Sequence, residues 1–118
     1  MSLGKHVICD FFNCAPEKIS NNEEIKDIIV SAIKQSGATI VETKMYHFKP
    51  YGLTGIVIIT ESHFAIHTWP EYNFAAIDFF SCNKNLDFDK AIRIIEDYLK
   101  PESVKTREID RGEITPPE

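Results

Sequence analysis

The sequence predicts an α+β fold, a two-layer sandwich in which a mostly antiparallel sheet carries two helices on one face. Two segments place apolar residues at helical spacing, and six others show the alternation or the β-branched content typical of strands. Their order is strand, helix, four strands, helix and strand, which gathers both helices on one side of the sheet. Because 43% of the 118 residues are hydrophobic, the chain can bury one modest core. We therefore predict one domain over residues 1–112.

The first strand and the first helix are predicted from two different spacings. Apolar residues alternate over residues 6–11, and this strand ends before Pro16. Ser20 precedes Glu23 by the spacing of a capping box, which predicts the start of a helix that stops at Gly37. The apolar stripe of this helix consists of Ile25, Ile28, Ile29, Ala32 and Ile33.

Four strands are predicted in the middle of the chain and one more near its end. The middle strands cover residues 38–48, residues 53–60, the segment that Pro70 closes, and residues 74–81. The turn Pro50-Tyr51-Gly52 makes the first two of them a hairpin. A second helix carries the stripe Phe88, Ala91, Ile92, Ile95 and Leu99 and ends at Pro101. The last strand covers residues 103–109, and a disordered tail is expected over residues 113–118.

Charge and cysteine content exclude several classes of protein. The net charge of −5 argues against a nucleic-acid-binding surface, which would present clustered Lys and Arg. No apolar run is long enough for a membrane span and no signal segment is recognisable, so a cytoplasmic protein is expected. Cys9, Cys14 and Cys82 are odd in number and scattered, which predicts free thiols rather than a disulfide framework or a zinc site.

Residues 60–71 concentrate the chemistry of the chain. His63 and His67 have the i, i+4 spacing that places two metal ligands on one face of a helix. The segment alternates like a strand, however, and strand positions four apart are separated by roughly 13 Å, too far to share one zinc ion. We therefore predict no metal site. A second possibility is that Ser62 is a nucleophile assisted by an imidazole, although a Ser-His pair is weak evidence by itself.

A longer motif around these residues resembles that of a known protein family. The string Glu61-Ser62-His63, followed by the string from Ile66 to Glu71 (Ile66-His67-Thr68-Trp69-Pro70-Glu71), resembles the self-cleavage motif of the small prokaryotic pyruvoyl-dependent S-adenosylmethionine decarboxylases. The resemblance runs from about residue 3 to residue 112, so residues 1–112 would form a single decarboxylase domain. It implies a two-layer α+β architecture and a homodimer with active sites at the subunit interface.

The resemblance also implies the cofactor and the reaction. Cleavage between Glu61 and Ser62 would give chains 1–61 and 62–118 and convert Ser62 into a pyruvoyl group, with no external cofactor. The pyruvoyl carbonyl would form a Schiff base with S-adenosylmethionine and accept electrons as carbon dioxide leaves. The product, S-adenosylmethioninamine, would serve spermidine biosynthesis.

Three side chains take part in this chemistry by resemblance. His67 would assist processing, and Cys82 would donate a proton to the substrate after decarboxylation. Thr54 stands where the family usually has Ser as a second processing hydroxyl; its methyl group stiffens the side chain and predicts slower processing. The residues alone leave other interpretations open, namely a hydrogen-bonded strand histidine for His67 and a small buried residue for Cys82. His63 receives no role.

Two further residues would bind the substrate by resemblance. Phe48 would stack on the adenine and Glu71 would accept hydrogen bonds from the ribose hydroxyls. The alternatives are a core position for Phe48 and a solvated turn for Glu71. His47 and Lys49 depart from what is usual beside this Phe, which leaves room for a different substrate preference.

Two other functions fit the same sequence. The fold and its pyruvoyl chemistry could act on another amino acid, such as ornithine or arginine, although Phe48 and Glu71 favour a nucleoside. A non-catalytic regulatory homologue is the alternative from a different class. Ser62, His67 and Cys82 are all present, and a protein without activity has no chemical need for all three.

Overall fold

The computed structural model describes residues 1–115 and confirms the predicted α+β two-layer sandwich. Six strands form one sheet in the order β2-β3-β4-β5-β1-β6, and every neighbouring pair is antiparallel. The strands are β1 (Ser2–Phe12), β2 (Ile40–His47), β3 (Leu53–Ile59), β4 (Ser62–Trp69), β5 (Phe74–Ser81) and β6 (Ser103–Glu113). The helices are α1 (Pro16–Ile19), α2 (Asn22–Gln35) and α3 (Phe88–Leu99), and Pro70–Tyr72 form a short 3-10 helix.

The two faces of the sheet have different surroundings. On one face, alternate strand residues such as Val57, Phe64 and Ile77 are buried beneath α2 and α3, which contribute Ile29 and Ile95 to the same core. Within residues 1–115 no second layer covers the opposite face, which we call the open face. Its exposed apolar side chains include Ile8, Ile56, Ile58 and Trp69. A sheet that buries only one of its two faces leaves the other available for an interaction.

The N-terminus of α2 corrects one prediction. Asn21 rather than Ser20 is the N-cap, and its side chain accepts a hydrogen bond from the backbone N–H of Glu24 at 3.1 Å. The Ser20 hydroxyl instead donates to the carbonyl of Pro16 at 2.8 Å, because Ser20 follows the short helix α1, which the sequence analysis did not predict. At the other end of α2 the predicted stop is confirmed, since Gly37 has a φ of 98° that favours glycine.

Several strands differ in length from the prediction. The first strand begins at Ser2 and pairs with the last one as far as Glu113, because β1 lies between β5 and β6 and is paired along its length. The N–H of Ile114 then donates to the carbonyl of Met1 at 2.9 Å, so ordered pairing continues into the segment predicted to be a tail. Residues 116–118 of that segment lie outside the described residues. No helix within residues 1–115 is long and apolar enough to cross a membrane.

Candidate active site

The Glu61-Ser62 peptide link lies at the tip of the hairpin between β3 and β4. Ile59 pairs with Ser62, so Thr60 and Glu61 form a two-residue loop. The common turns of such hairpins have a positive φ at one or both central residues, which matches the twist of the strands. Neither Thr60 nor Glu61 has a positive φ. The loop therefore departs from the geometry that a two-residue hairpin adopts most readily, and it does so beside the predicted cleavage point.

The backbone N–H of Cys82 points at both groups that the predicted cleavage of this link would involve. It lies 3.2 Å from the hydroxyl oxygen of Ser62 and 3.5 Å from the carbonyl oxygen of Glu61. Cys82 comes directly after β5, whose last residue, Ser81, pairs with Ser62 across the sheet. A backbone donor in this place holds the Ser62 hydroxyl close to the Glu61 carbonyl, and it can stabilise negative charge on a carbonyl oxygen under attack.

The side chain of Cys82 differs from those of the other cysteines. Cys9 and Cys14 are buried, whereas Cys82 is exposed. Burial raises the pKa of the Cys14 thiol to about 11, and it also raises the pKa of the Cys9 thiol. The interpretation of Cys82 as a small buried residue is therefore wrong. Of the three thiols, the one beside Ser62 is the one that a substrate can reach.

A second group of predicted residues meets at the other end of the same strands. Thr54 of β3 and His67 of β4 are cross-strand partners, and the Thr54 hydroxyl lies 3.1 Å from Nδ1 of His67. This hydrogen bond fixes the orientation of the imidazole ring. The Thr54 hydroxyl thus reaches the imidazole although the residue carries the extra methyl group noted in the sequence.

A cavity of about 510 Å³ lies beside this pair. Phe48 lines it and is 49% exposed, so the alternative of a core position for this residue is wrong. Glu71 reaches the cavity from the 3-10 helix Pro70–Tyr72. The complete lining consists of Phe48, Lys49, Pro50, Tyr51, Gly52, Thr54, His67, Thr68, Trp69 and Glu71.

His47 and Lys49, which depart from the usual pattern beside Phe48, differ in whether they line the cavity. Nδ1 of His47 accepts a hydrogen bond from the side-chain NH2 of Asn22 at 3.0 Å, and His47 does not line the cavity, whereas Lys49 does. Trp69 is a lining residue that the sequence analysis did not assign. Its position could have been predicted, because Trp69 lies two residues after His67 and so shares its face of the strand.

The two groups of site residues are not brought together within one chain. Ser62 and His67 are five positions apart on β4, which separates them by roughly 16 Å along an extended strand. The hairpin group is Glu61, Ser62 and Cys82, and the cavity group is Phe48, Thr54, His67 and Glu71. An imidazole at this distance cannot take a proton from the Ser62 hydroxyl of the same chain.

His63 belongs to a third cluster that the sequence analysis missed. With His6 and Asp78 it forms a set of ligand-type side chains, and one ring nitrogen or carboxylate oxygen from each lies within 4.8 Å of the other two. The three residues come from β4, β1 and β5, which are neighbours in the sheet but distant in sequence. No spacing along the chain could have indicated this cluster.

Comparison with known proteins identifies the family. Residues 5–112 match the model of the family described as S-adenosylmethionine decarboxylase. An S-adenosylmethionine decarboxylase proenzyme of Thermosipho africanus is 42% identical over 111 residues, covering 94% of this chain and 85% of that protein. One of Thermotoga maritima is 43% identical with the same coverage. The crystal structure of the adenosylmethionine decarboxylase from Aquifex aeolicus superimposes with a TM-score of 0.88 at 31% identity, over 99% of this chain and 97% of that one. This chain is therefore a member of the S-adenosylmethionine decarboxylase family.

Proposed function

We propose that this chain is a proenzyme that cleaves itself between Glu61 and Ser62 and then decarboxylates S-adenosylmethionine. Membership of the family supports the reaction, since the similar proteins are named as proenzymes. The single observation that supports cleavage at this link is the Cys82 N–H, which faces both the Ser62 hydroxyl and the Glu61 carbonyl.

Cleavage can be written with the chain's own atoms. The Ser62 hydroxyl oxygen attacks the Glu61 carbonyl carbon, the peptide C–N bond breaks, and the hydroxyl proton passes to the released nitrogen of residue 62. The resulting ester is then eliminated: a base removes the Cα proton of residue 62, and the C–O bond breaks to leave Glu61 as a free carboxylate. The dehydroalanine left at residue 62 takes up one water and releases ammonia, which gives the pyruvoyl group.

The residues around position 62 fit this group and its use. When present, the pyruvoyl carbonyl withdraws electrons from the substrate's α-carbon as carbon dioxide leaves. In the intact chain position 62 is the first residue of β4, and the Cys82 N–H lies next to it as a hydrogen-bond donor. The Cys82 thiol is exposed on the residue whose backbone N–H contacts the Ser62 hydroxyl, and it would return a proton to the α-carbon.

The cavity group fits a nucleoside better than a simple amino acid. A volume of about 510 Å³ is in the range of ordinary small-molecule sites. The half-exposed ring of Phe48 offers a face for adenine, and the Glu71 carboxylate can accept hydrogen bonds from two neighbouring ribose hydroxyls. Ornithine and arginine contain neither an aromatic ring nor a diol, so they would leave both side chains without a partner.

The hairpin group and the cavity group can meet if each site is formed by two chains. The open face presents Ile56 and Ile58 with 42% and 44% of their surfaces exposed, and a second copy packed face to face would bury them. A two-fold axis between the sheets and across the strands would place the hairpin end of one copy against the cavity end of the other. Each of the two sites would then combine the hairpin group of one chain with the cavity group of its partner. A cytoplasmic location remains a prediction from the sequence.

The reaction is tested on the purified wild-type chain. We expect denaturing electrophoresis and mass spectrometry to show chains 1–61 and 62–118, the latter blocked to N-terminal sequencing. Carbon dioxide should be released from S-adenosylmethionine but not from ornithine or arginine, because only S-adenosylmethionine has an adenine ring for Phe48 and a ribose diol for Glu71. An active preparation that contains intact chain alone would contradict self-cleavage, and release from ornithine or arginine alone would contradict the substrate.

The shared site is tested by mixing two inactive variants. Ser62→Ala and His67→Ala chains carrying different tags are co-expressed and the mixed dimer is isolated. One of its sites has both Ser62 and His67, so we expect about half of the wild-type cleavage and activity per dimer.

The matched control for this mixture places the same two substitutions in one chain. A dimer of the Ser62→Ala/His67→Ala double variant with wild type has no site that contains both residues, so its activity should be close to zero. Equal activity of the two mixed dimers would contradict the shared site.

A further inference from the structure

The cluster of His6, His63 and Asp78 on the open face follows from the register of three adjacent strands. Phe80 of β5 is paired with His6 of β1 on one side and with His63 of β4 on the other. Asp78 lies two residues before Phe80, so its carboxylate points to the same face and is diagonal to both imidazoles. The imidazoles of two strands, β1 and β4, therefore meet at one carboxylate of the strand between them, β5.

The contacts within the cluster determine the protonation of His6. Nη1 of Arg111 donates to Nδ1 of His6 at 3.1 Å, and Nε2 of His6 is hydrogen-bonded to the Asp78 carboxylate. An imidazole nitrogen that accepts a hydrogen bond carries no proton, so the proton of the neutral ring is on Nε2 and is donated to Asp78. The same carboxylate oxygen lies 3.6 Å from Nε2 of His63.

This arrangement favours a hydrogen-bonded network over a metal site. Two imidazoles and a carboxylate are suitable ligands for a transition metal. A His that binds a metal through Nε2 normally donates its Nδ1 proton to an acceptor. Here Nδ1 of His6 faces a donor, Arg111, and the metal-binding nitrogen would have to lose the proton that it gives to Asp78.

His63 lies directly beside the proposed cleavage point, where a restraint is needed. His63 follows Ser62 directly, and cleavage of the Glu61-Ser62 link would cut the connection between β3 and β4. Residue 62 would then become a chain terminus, and termini fray unless they are tied down. His63 carries the first side chain after the cut, and Asp78 lies within β5, which is paired on both sides.

We propose that His6, Asp78 and Arg111 form a positioning network that holds His63, and so keeps residue 62 next to Cys82 after the chain has been cleaved. This inference rests on the proposed self-cleavage. Before cleavage the covalent hairpin holds Ser62 in place, and the network is dispensable for its position. After cleavage the Asp78-His63 contact replaces part of that restraint.

The test compares amide hydrogen exchange in cleaved and uncleaved protein. In the cleaved protein, Asp78→Asn should speed exchange of the amides of residues 63–65 by about threefold to fivefold, the size expected when a partly exposed charged contact, here the 3.6 Å approach of the Asp78 carboxylate to Nε2 of His63, is lost. In the uncleaved Ser62→Ala background the same substitution should change exchange less than about twofold, because the hairpin is intact. His63→Ala should behave like Asp78→Asn, and the double variant should add nothing to either. We expect kcat of the cleaved variants to fall while KM changes little.

Asp10→Asn is the matched control. It makes the same Asp-to-Asn change on the open face of the sheet, but in β1 rather than β5, at a position paired with Ala76 and outside the cluster. It should leave exchange at residues 63–65 unchanged. Equal acceleration in cleaved and uncleaved protein would show a merely structural role and overturn the inference alone. If Asp78→Asn does not fold, the His63→Ala comparison decides in the same way, since His63 is partly exposed. A wild-type chain that is not cleaved would overturn the proposed function and this inference together.

Discussion

Replacing Ser62 with alanine is expected to abolish both chain cleavage and decarboxylase activity. Alanine has no oxygen to attack the Glu61 carbonyl, so no ester forms and residue 62 cannot be converted into a carbonyl group. The fold should be retained, because the backbone pairing of residue 62 with Ile59 and Ser81 does not involve the hydroxyl. Mass spectrometry of the purified variant should show one intact chain, and carbon dioxide release from S-adenosylmethionine should fall to background.

Ser81→Ala provides the matched control for this experiment. Ser81 lies directly across the sheet from Ser62, and its buried hydroxyl accepts a hydrogen bond from the Asn83 N–H at 2.9 Å. Loss of that bond should reduce the free energy of unfolding by about 1 kcal/mol and leave cleavage intact. If Ser62→Ala retained decarboxylase activity, residue 62 would not be the electron sink, and an added cofactor such as pyridoxal phosphate would have to be sought.

The elements that could be predicted from sequence are those with a strong local period. The stripes of α2 and α3 and the alternation in the strands assigned the buried face correctly, because each period follows from the geometry of a single element. The start of α2 was predicted one residue early. Ser20 and Glu23 have the spacing of a capping box, but so do Asn21 and Glu24, since Asn is also a good N-cap. The local pattern could not decide between two adjacent caps of similar strength.

The contacts of the candidate site depend on strand register, which has no local signature. Thr54 meets His67, and Asp78 meets His6, only because of how antiparallel strands align. The proximity of Ser62 and His67 in sequence was misleading for a related reason. An extended strand carries residues apart at about 3.3 Å per position, so a compact motif in sequence became two separate groups in space.

Removal of the Cys82 thiol should separate the making of the cofactor from its use. Cys82→Ala keeps the backbone N–H that lies against the Ser62 hydroxyl and the Glu61 carbonyl, so cleavage into chains 1–61 and 62–118 should proceed. The variant loses the exposed side chain that would return a proton to the substrate after carbon dioxide has left. Turnover should therefore fall by about 10²- to 10⁴-fold, the usual contribution of a positioned general acid.

The variant should also inactivate itself during use. Without the thiol, protonation can occur at the carbonyl-derived carbon of residue 62 instead of at the substrate's α-carbon. One water would then split the carbon–nitrogen link on the substrate side, so that the substrate's nitrogen stays on residue 62, which becomes alanine, and the substrate leaves as an aldehyde whose oxygen comes from that water. Mass spectrometry of chain 62–118 before and after incubation with S-adenosylmethionine measures this change. Cys9→Ala is the control. It removes a buried thiol from β1, which is separated from the strand of Ser62 by β5, and should leave turnover per cleaved chain unchanged. Normal turnover by Cys82→Ala would remove its thiol from the reaction and leave its backbone N–H, which we propose acts in cleavage, as the sole contribution of this residue.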